Sequence, residues 1–388
     1  MDMQSFQHMT APLRLFCGPE SLGMLGRELD RLKSRHAVIF CGATLFRDGA
    51  LLDLIRGALG ERCAGVFAGV RAHSPVPAVE AGTEALRRLA ADAVIAVGGG
   101  SAIVTARAAS ILLAENGTLK ALSTSRDAHG KLVSPKLLAA KLPQFVIPTT
   151  PTTAMVKAGS AVFDPVAVER LALFDPKTRA QAIFIHPALV ASASRELLAS
   201  TSLDTLSSVM EGLTSRAGDP LADALLMHAL RLLALHLPVG DDPRARSELM
   251  LAAILCGQGT DHTGAGIATV LGHAIGAGHE VENGVVKAIV LPSVLRFNAG
   301  AAAPGLVKVA AALGLRMSDD TPLVEAVIDT LSGIFARIGT PRRLRDVGVP
   351  ENVLPGIADR AMGDWFLRGN PRPIRDASEL LEVLRAAW

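Results

Sequence analysis

The chain has 388 residues, 49% apolar and 20% charged, enough for two ordinary domains that each bury a core behind a polar surface. A formal net charge of +2, an aromatic content of 4% and no tyrosine leave no basic, aromatic-studded face for nucleic acid. No uncharged apolar run is long enough for a bilayer span, and the amino end lacks the layout of a secretion signal. Cys17, Cys41, Cys63 and Cys256 are dispersed without a CxxC pair, so a reduced, cytoplasmic setting is expected.

Strand-like and helix-like patterns alternate through the first half. Residues 37–40 read as a strand and 51–59 as an amphipathic helix; 65–68 read as a second strand and 79–90 as a helix with Leu86 and Leu89 inward. The apolar run 93–97 fits a strand covered on both faces, followed by a helix over 101–114. Segment 126–134 reads as an exposed turn, 144–148 as a strand, 161–174 as strand-like pieces and 181–185 as the last clear strand. Such alternation predicts a doubly wound, mainly parallel sheet. Beyond Pro187, the Ala- and Leu-rich stretches 206–213, 221–237, 246–257, 267–277 and 306–313 have helical periodicity. The expected organisation is therefore an α/β domain over 1–186 and an all-α domain over 187–388.

Two loops carry the chemistry of the first domain. Gly98, Gly99, Gly100 and Ser101 lie between an apolar strand and a small-residue helix, where backbone N–H groups can meet a diphosphate at the helix N-terminus. A tight turn without a ligand has the same sequence, and the spacing is not GxGxxG. The run Pro148-Thr149-Thr150-Pro151-Thr152-Thr153 follows another strand at the edge where ligands of open α/β sheets sit. Hydroxyls of Thr149, Thr150 and Thr153 suit a ribose or a nicotinamide amide.

With these loops, Leu203-Asp204-Thr205-Leu206 and the stretch 284–298 (GVVKAIVLPSVLRFN) complete an ordered set that resembles the iron-type alcohol dehydrogenases. The stretch 64–70 and the tail 370–388 look more like the maleylacetate reductase branch. The resemblance spans the chain and implies a dinucleotide-binding domain followed by a helical one. It also implies NAD or NADP as cofactor, a small carbonyl or alcohol as substrate, and a homodimer.

The family supplies one Asp and three His to a metal. Here the matching positions are Asp204, Ser208, Thr269 and Asn283. Neutral hydroxyls and an amide are poor ligands for Fe²⁺ or Zn²⁺, so the expectation is metal-independent chemistry; His262 and His279 are read as surface or packing residues, the alternative being that a loop shift lets one of them substitute as a ligand. The maleylacetate reductase branch also departs from the Asp ligand but keeps the histidines missing here. His273 matches a family position near the nicotinamide and is expected to relay a proton; the alternative is a core histidine bonded to a carbonyl. Lys287 lies four residues after Asn283, on the same helical face. It is either an ammonium in the volume of the metal or a solvated surface lysine. Asp204 would orient a polar group or water.

Gly42 stands where NAD-preferring relatives often carry Asp, leaving room for a 2′-phosphate near Thr44 and Arg47. Arg170 matches a family lysine that reaches the cofactor. Val104 and Ala154-Met155-Val156 depart from the pattern. The expected function is NAD(P)-dependent reduction of a small aldehyde, ketone or oxo acid, or oxidation of the matching alcohol. The alternatives are maleylacetate reduction proper and a catalytically silent nucleotide-binding homologue.

Overall fold

A computed structural model describes residues 5–129, 131–240, 242–316 and 321–388. The chain divides into two compact units: Ala11–Ala193, and Ser194–Trp388 together with the amino-terminal segment through Thr10. This division differs from the expected 1–186 and 187–388 in two places: the amino-terminal segment through Thr10 is grouped with the helical unit, and the short helix after the last strand stays with the sheet.

The first unit contains β1 (Leu15–Cys17), α1 (Leu25–Arg31), β2 (Ala37–Gly42), α2 (Ala43–Arg47), α3 (Gly49–Leu59), β3 (Cys63–Val70), α4 (Val76–Arg88), β4 (Ala93–Gly98) and α5 (Gly100–Ala114). It continues through β5 (Ser125–Arg126), β6 (Leu132–Val133), β7 (Gln144–Pro148), β8 (Gly159–Asp164), β9 (Glu169–Phe174), β10 (Ala180–Ile185) and α6 (Pro187–Ala191). Six strands form one sheet in the order β1-β10-β7-β4-β2-β3, with every pairing parallel. Strands β2, β4 and β7 are apolar because both of their faces are covered. Ile39, Ile95, Phe145 and Phe184 pack towards Leu25, Leu29 and Ile55 on one side. On the other, Gly82 of α4 admits the Phe40 ring, which a Cβ there would meet at 2.7 Å.

Two expectations change in this unit. Segment 126–134 contributes Arg126 to β5 and all of β6, a short antiparallel pairing rather than a plain turn; residue 130 lies outside the described residues. The pieces within 161–174 form a separate antiparallel hairpin, β8–β9, and do not join the main sheet. Pairing partners far apart in sequence decide both, and periodicity carries no record of them.

The second unit is helical: α7 (Arg195–Thr214), α8 (Pro220–His236), α9 (Pro243–Thr263), α10 (Ile267–His279), α11 (Asn283–Asn298), α12 (Ala303–Leu313), α13 (Leu323–Arg337), α14 (Leu354–Ala361) and α15 (Ala377–Ala387). Helix starts follow local chemistry. Ser194 accepts from Leu197 N, while Asp219 and Asp242 cap helices whose first residue is proline. Helices α7 and α11 touch backbone to backbone, since a Cβ on Gly284 would fall 1.8 Å from the Ser200 carbonyl oxygen. Among the described residues no helix is long and apolar enough to cross a membrane.

Candidate active site

In the sheet unit, β2 neighbours both β3 and β4, so the chain reverses its direction of winding between β2 and β4. The carboxyl ends of strands at such a switch point are where open α/β sheets take ligands. Gly42 ends β2 and caps α2; Gly98 ends β4, and Gly99 caps α5. Gly98 has φ +140, a conformation that a side chain would strain. Gly98 pairs in register with Pro148, and Thr149 N donates to the Gly98 carbonyl at 3.1 Å. The glycine and threonine loops are therefore one structure. A Cβ on Gly99 would meet Thr150 Oγ1 at 2.8 Å, and one on Gly100 would meet Thr152 Oγ1 at 3.2 Å.

Thr150 is buried beneath the glycines, whereas Thr149, Thr153 and Ser101 are half-buried and Thr44 is exposed. Arg170 is exposed on β9, opposite Phe163, whose N–H donates to Ser74 O. The Ser74 hydroxyl in turn donates to the Ser101 carbonyl at 3.1 Å, so the hairpin is tied to the glycine loop.

Arg107 also belongs to this edge and was not anticipated. Fully buried on α5, it donates to Ala154 O at 2.8 Å and to Gly159 O at 2.6 Å, pinning the end of the threonine loop to the start of β8. Burial, then the neighbouring Arg179, pushes the Arg107 pKa down. Its signal in the sequence is a lone charge inside the otherwise small and apolar run 100–114.

In the helical unit, Asp204 and Ser208 stand one turn apart on α7, facing Lys287 of α11. Lys287 is only 5% exposed at its side chain; its Nζ lies 2.8 Å from Asp204 Oδ1 and donates to Ser208 Oγ at 3.3 Å. Gly272 of α10 makes room for the lysine stem, since a Cβ there would touch Lys287 Cγ at 3.0 Å. Lys287 is thus a buried ion-paired ammonium and not a solvated lysine. Two further family metal positions take other partners. Thr269 donates to Glu211 Oε2 at 2.6 Å, and Asn283 packs against Gly276. Burial, opposed by Lys287 and Thr269, pushes the Glu211 pKa up.

One carboxylate, two hydroxyls and an amide do not fit Fe²⁺ or Zn²⁺, least of all with an ammonium on the carboxylate. His273, on α10, bonds through Nδ1 to Asp364 Oδ2 at 2.9 Å. Asp364 itself caps a short 3₁₀ helix, Trp365–Gly369, accepting from Phe366 N at 3.0 Å. It lies 91 residues from His273, and only the fold brings the two together.

The sequence pattern described as iron-containing alcohol dehydrogenase matches residues 12–187. That described as Fe-containing alcohol dehydrogenase family, C-terminal, matches residues 198–388. Lactaldehyde reductase of Escherichia coli K12 is 28% identical over 384 residues, covering 96% of this chain and 97% of its own. The NADPH-dependent butanol dehydrogenase of Clostridium saccharobutylicum is 27% identical, covering 98% and 97%. The crystal structure of a 1,3-propanediol oxidoreductase superposes with a TM-score of 0.90 at 24% identity, covering 99% of this chain and 100% of its own. That of maleylacetate reductase from Agrobacterium tumefaciens gives 0.80 at 23% identity, covering 100% and 99%. Both likenesses show a shared fold.

Proposed function

Because the chain belongs to the iron-containing alcohol dehydrogenase family, we propose that it interconverts a small aldehyde, ketone or oxo acid and the matching alcohol with NAD or NADP, using Lys287 where the family uses a metal. The relatives named for lactaldehyde and butanol support the substrate class, and the NADPH-dependent one supports the cofactor class. The observation that carries the metal-independent reading is the buried Lys287 ammonium held by Asp204 and Ser208, the first two family ligand positions.

A bound dinucleotide supplies or accepts the hydride. The amides of Gly99, Gly100 and Ser101 bind its diphosphate, and the helix dipole of α5 adds to them. With no carboxylate at Gly42, and with Thr44 and Arg47 exposed on α2, a 2′-phosphate is tolerated. An ammonium has three donors; Asp204 and Ser208 take two from Lys287, and the third serves the carbonyl oxygen as charge develops on it. His273 delivers the proton that turns the alkoxide into alcohol, with its ring set by Asp364. Hydride to carbon and proton to oxygen complete the reduction.

The test is steady-state oxidation of NADH and NADPH against small aldehydes, ketones and oxo acids, maleylacetate among them. Turnover with at least one small carbonyl is expected. Tight dinucleotide binding without turnover on any of them would instead make the protein a silent nucleotide-binding homologue.

A further inference from the structure

Outside this site, three ligand-bearing side chains converge in the helical unit. His8 lies in the amino-terminal segment, Asp219 caps α8, and His262 sits in the last turn of α9. His8 Nδ1 is 3.1 Å from Asp219 Oδ2, His262 Nδ1 is 4.0 Å from the same oxygen, and all three ligand atoms lie within 4.8 Å of one another. The side chains are 8%, 5% and 17% exposed, and the two imidazoles stack at 3.8 Å.

Hydrogen bonding fixes which atoms face inward. His262 Nε2 lies 3.2 Å from the Met9 carbonyl oxygen, which only accepts, so the proton of a neutral His262 is on Nε2 and the Nδ1 lone pair faces Asp219. Asp219 Oδ1 accepts from the N–H groups of Leu221 and Ala222 and, like Oδ2, lies 3.1 Å from His8 Nδ1; Oδ2 is the oxygen that also faces His262 Nδ1. The cluster thus presents a fixed carboxylate, an imidazole lone pair aimed at it and a second imidazole beside both. Carbonyl support behind a ligating histidine is the usual outer shell of a zinc site.

We propose that His8, Asp219 and His262 form a site for a divalent transition cation of the zinc class, which fastens the amino-terminal segment to the ends of α8 and α9. Two nitrogens and one carboxylate oxygen are a zinc donor set, with water as the fourth ligand. Tetrahedral zinc with bonds of about 2.05 Å needs ligand atoms about 3.3 Å apart. The His8 pair already matches; His262 reaches that spacing only when the two imidazoles leave their stack, because near-parallel rings 3.8 Å apart do not aim both lone pairs at one ion. On binding, the cation replaces the proton that His8 Nδ1 shares with Asp219, and that proton leaves to solvent. The site shares no residue with Asp204, Ser208, Thr269 or Asn283.

The experiment is calorimetric titration of the chelator-stripped full-length protein with ZnCl₂, alongside His8→Ala, His262→Ala and Asp204→Asn. Co²⁺ absorption reports the geometry. His8 lies outside every helix, and a cooperative melt of His8→Ala without zinc checks that the variant is folded. One zinc per chain is expected. Affinity should fall at least ~10- to 100-fold in either histidine variant and stay within about twofold in Asp204→Asn, because even outer-shell partners are worth 10- to 100-fold. The thermal midpoint should rise with zinc in the wild type and not in His8→Ala. No saturable one-to-one binding, binding untouched by both histidine variants, or binding lost only in Asp204→Asn would each overturn the site.

Discussion

At the scale of single residues, Lys287 has the clearest consequence. Its ammonium is held 2.8 Å from Asp204 and backed by Ser208, geometry suited to meeting negative charge that develops at an oxygen. Lys287→Met keeps the stem against Gly272 and deletes the charge. Turnover should fall by ~10²–10³-fold, the usual cost of losing one such stabiliser, while dinucleotide affinity stays within a few-fold. Unchanged turnover in that variant would return the lysine to a packing role. Asp364 is a positioning residue and has a different signature. Asp364→Asn keeps a polar partner for His273 but removes its anion, so kcat should drop ~10-fold or more with KM nearly unchanged. A change confined to KM would count against orientation of His273. Lys287 was visible in the sequence as a one-turn neighbour of Asn283, but its real partners lie on α7, reached because Gly284 brings α11 against that helix. Asp364 left no such trace, being joined to His273 across 91 residues by tertiary packing alone.

At the scale of elements, the central strands of the parallel sheet were legible because burial on both faces makes them apolar runs; β7 ends where expected and β4 runs one residue further, through Gly98. Helices α13, α14 and α15 went unread, since their stripes are interleaved with charge and their order comes from packing against the rest of the unit. The glycine loop gives the prediction of this scale. A valine at Gly99 must displace Thr150, whose hydroxyl would lie 2.8 Å from the new Cβ, and so disturbs both loops at once. Gly99→Val should weaken NADH or NADPH binding by more than about tenfold, or 1.4 kcal/mol, in a protein that still melts cooperatively. Equal calorimetric affinities would remove the diphosphate from this loop.

The carboxyl-terminal helix supplies a second test. Glu379, in the first turn of α15, accepts from Arg375 N at 2.8 Å and from the Arg372 and Arg375 guanidinium groups. The Arg375 backbone bond first, then these side chains, pull its pKa from 4.5 down to about 2. The folded state therefore favours the anion, so this stabilisation is complete above pH 4.5 and is lost as pH falls towards about 2. Glu379→Gln should be less stable than wild type at pH 7, with the gap narrowing in denaturant melts run between those limits. A gap that does not change with pH would show that packing, not charge, is what the carboxylate contributes.

At the scale of the whole molecule, the question is where a metal, if the protein holds one, would matter. A metal acting as Lewis acid on the carbonyl supplies several kcal/mol, and at 1.36 kcal/mol per tenfold its removal costs more than ~10²-fold in rate. In this chain two of the family's four metal positions, Asp204 and Ser208, are joined through an ammonium, whereas the zinc-class donors are His8, Asp219 and His262. Elemental analysis alone therefore does not locate the catalysis, because one bound zinc per chain is compatible with a metal-free catalytic centre. Activity and stability separate the two. After dialysis against a strong chelator, turnover with an active carbonyl should stay within about twofold of the untreated enzyme, and added Fe²⁺ or Zn²⁺ should not raise it. The thermal midpoint of the same stripped sample should rise when zinc is returned. Loss of turnover on stripping, restored by Fe²⁺ and insensitive to His8→Ala, would place a working metal at Asp204 and defeat the ammonium mechanism. Turnover indifferent to metal, beside a melting point that is not, would divide the two roles between two sites on one helical unit.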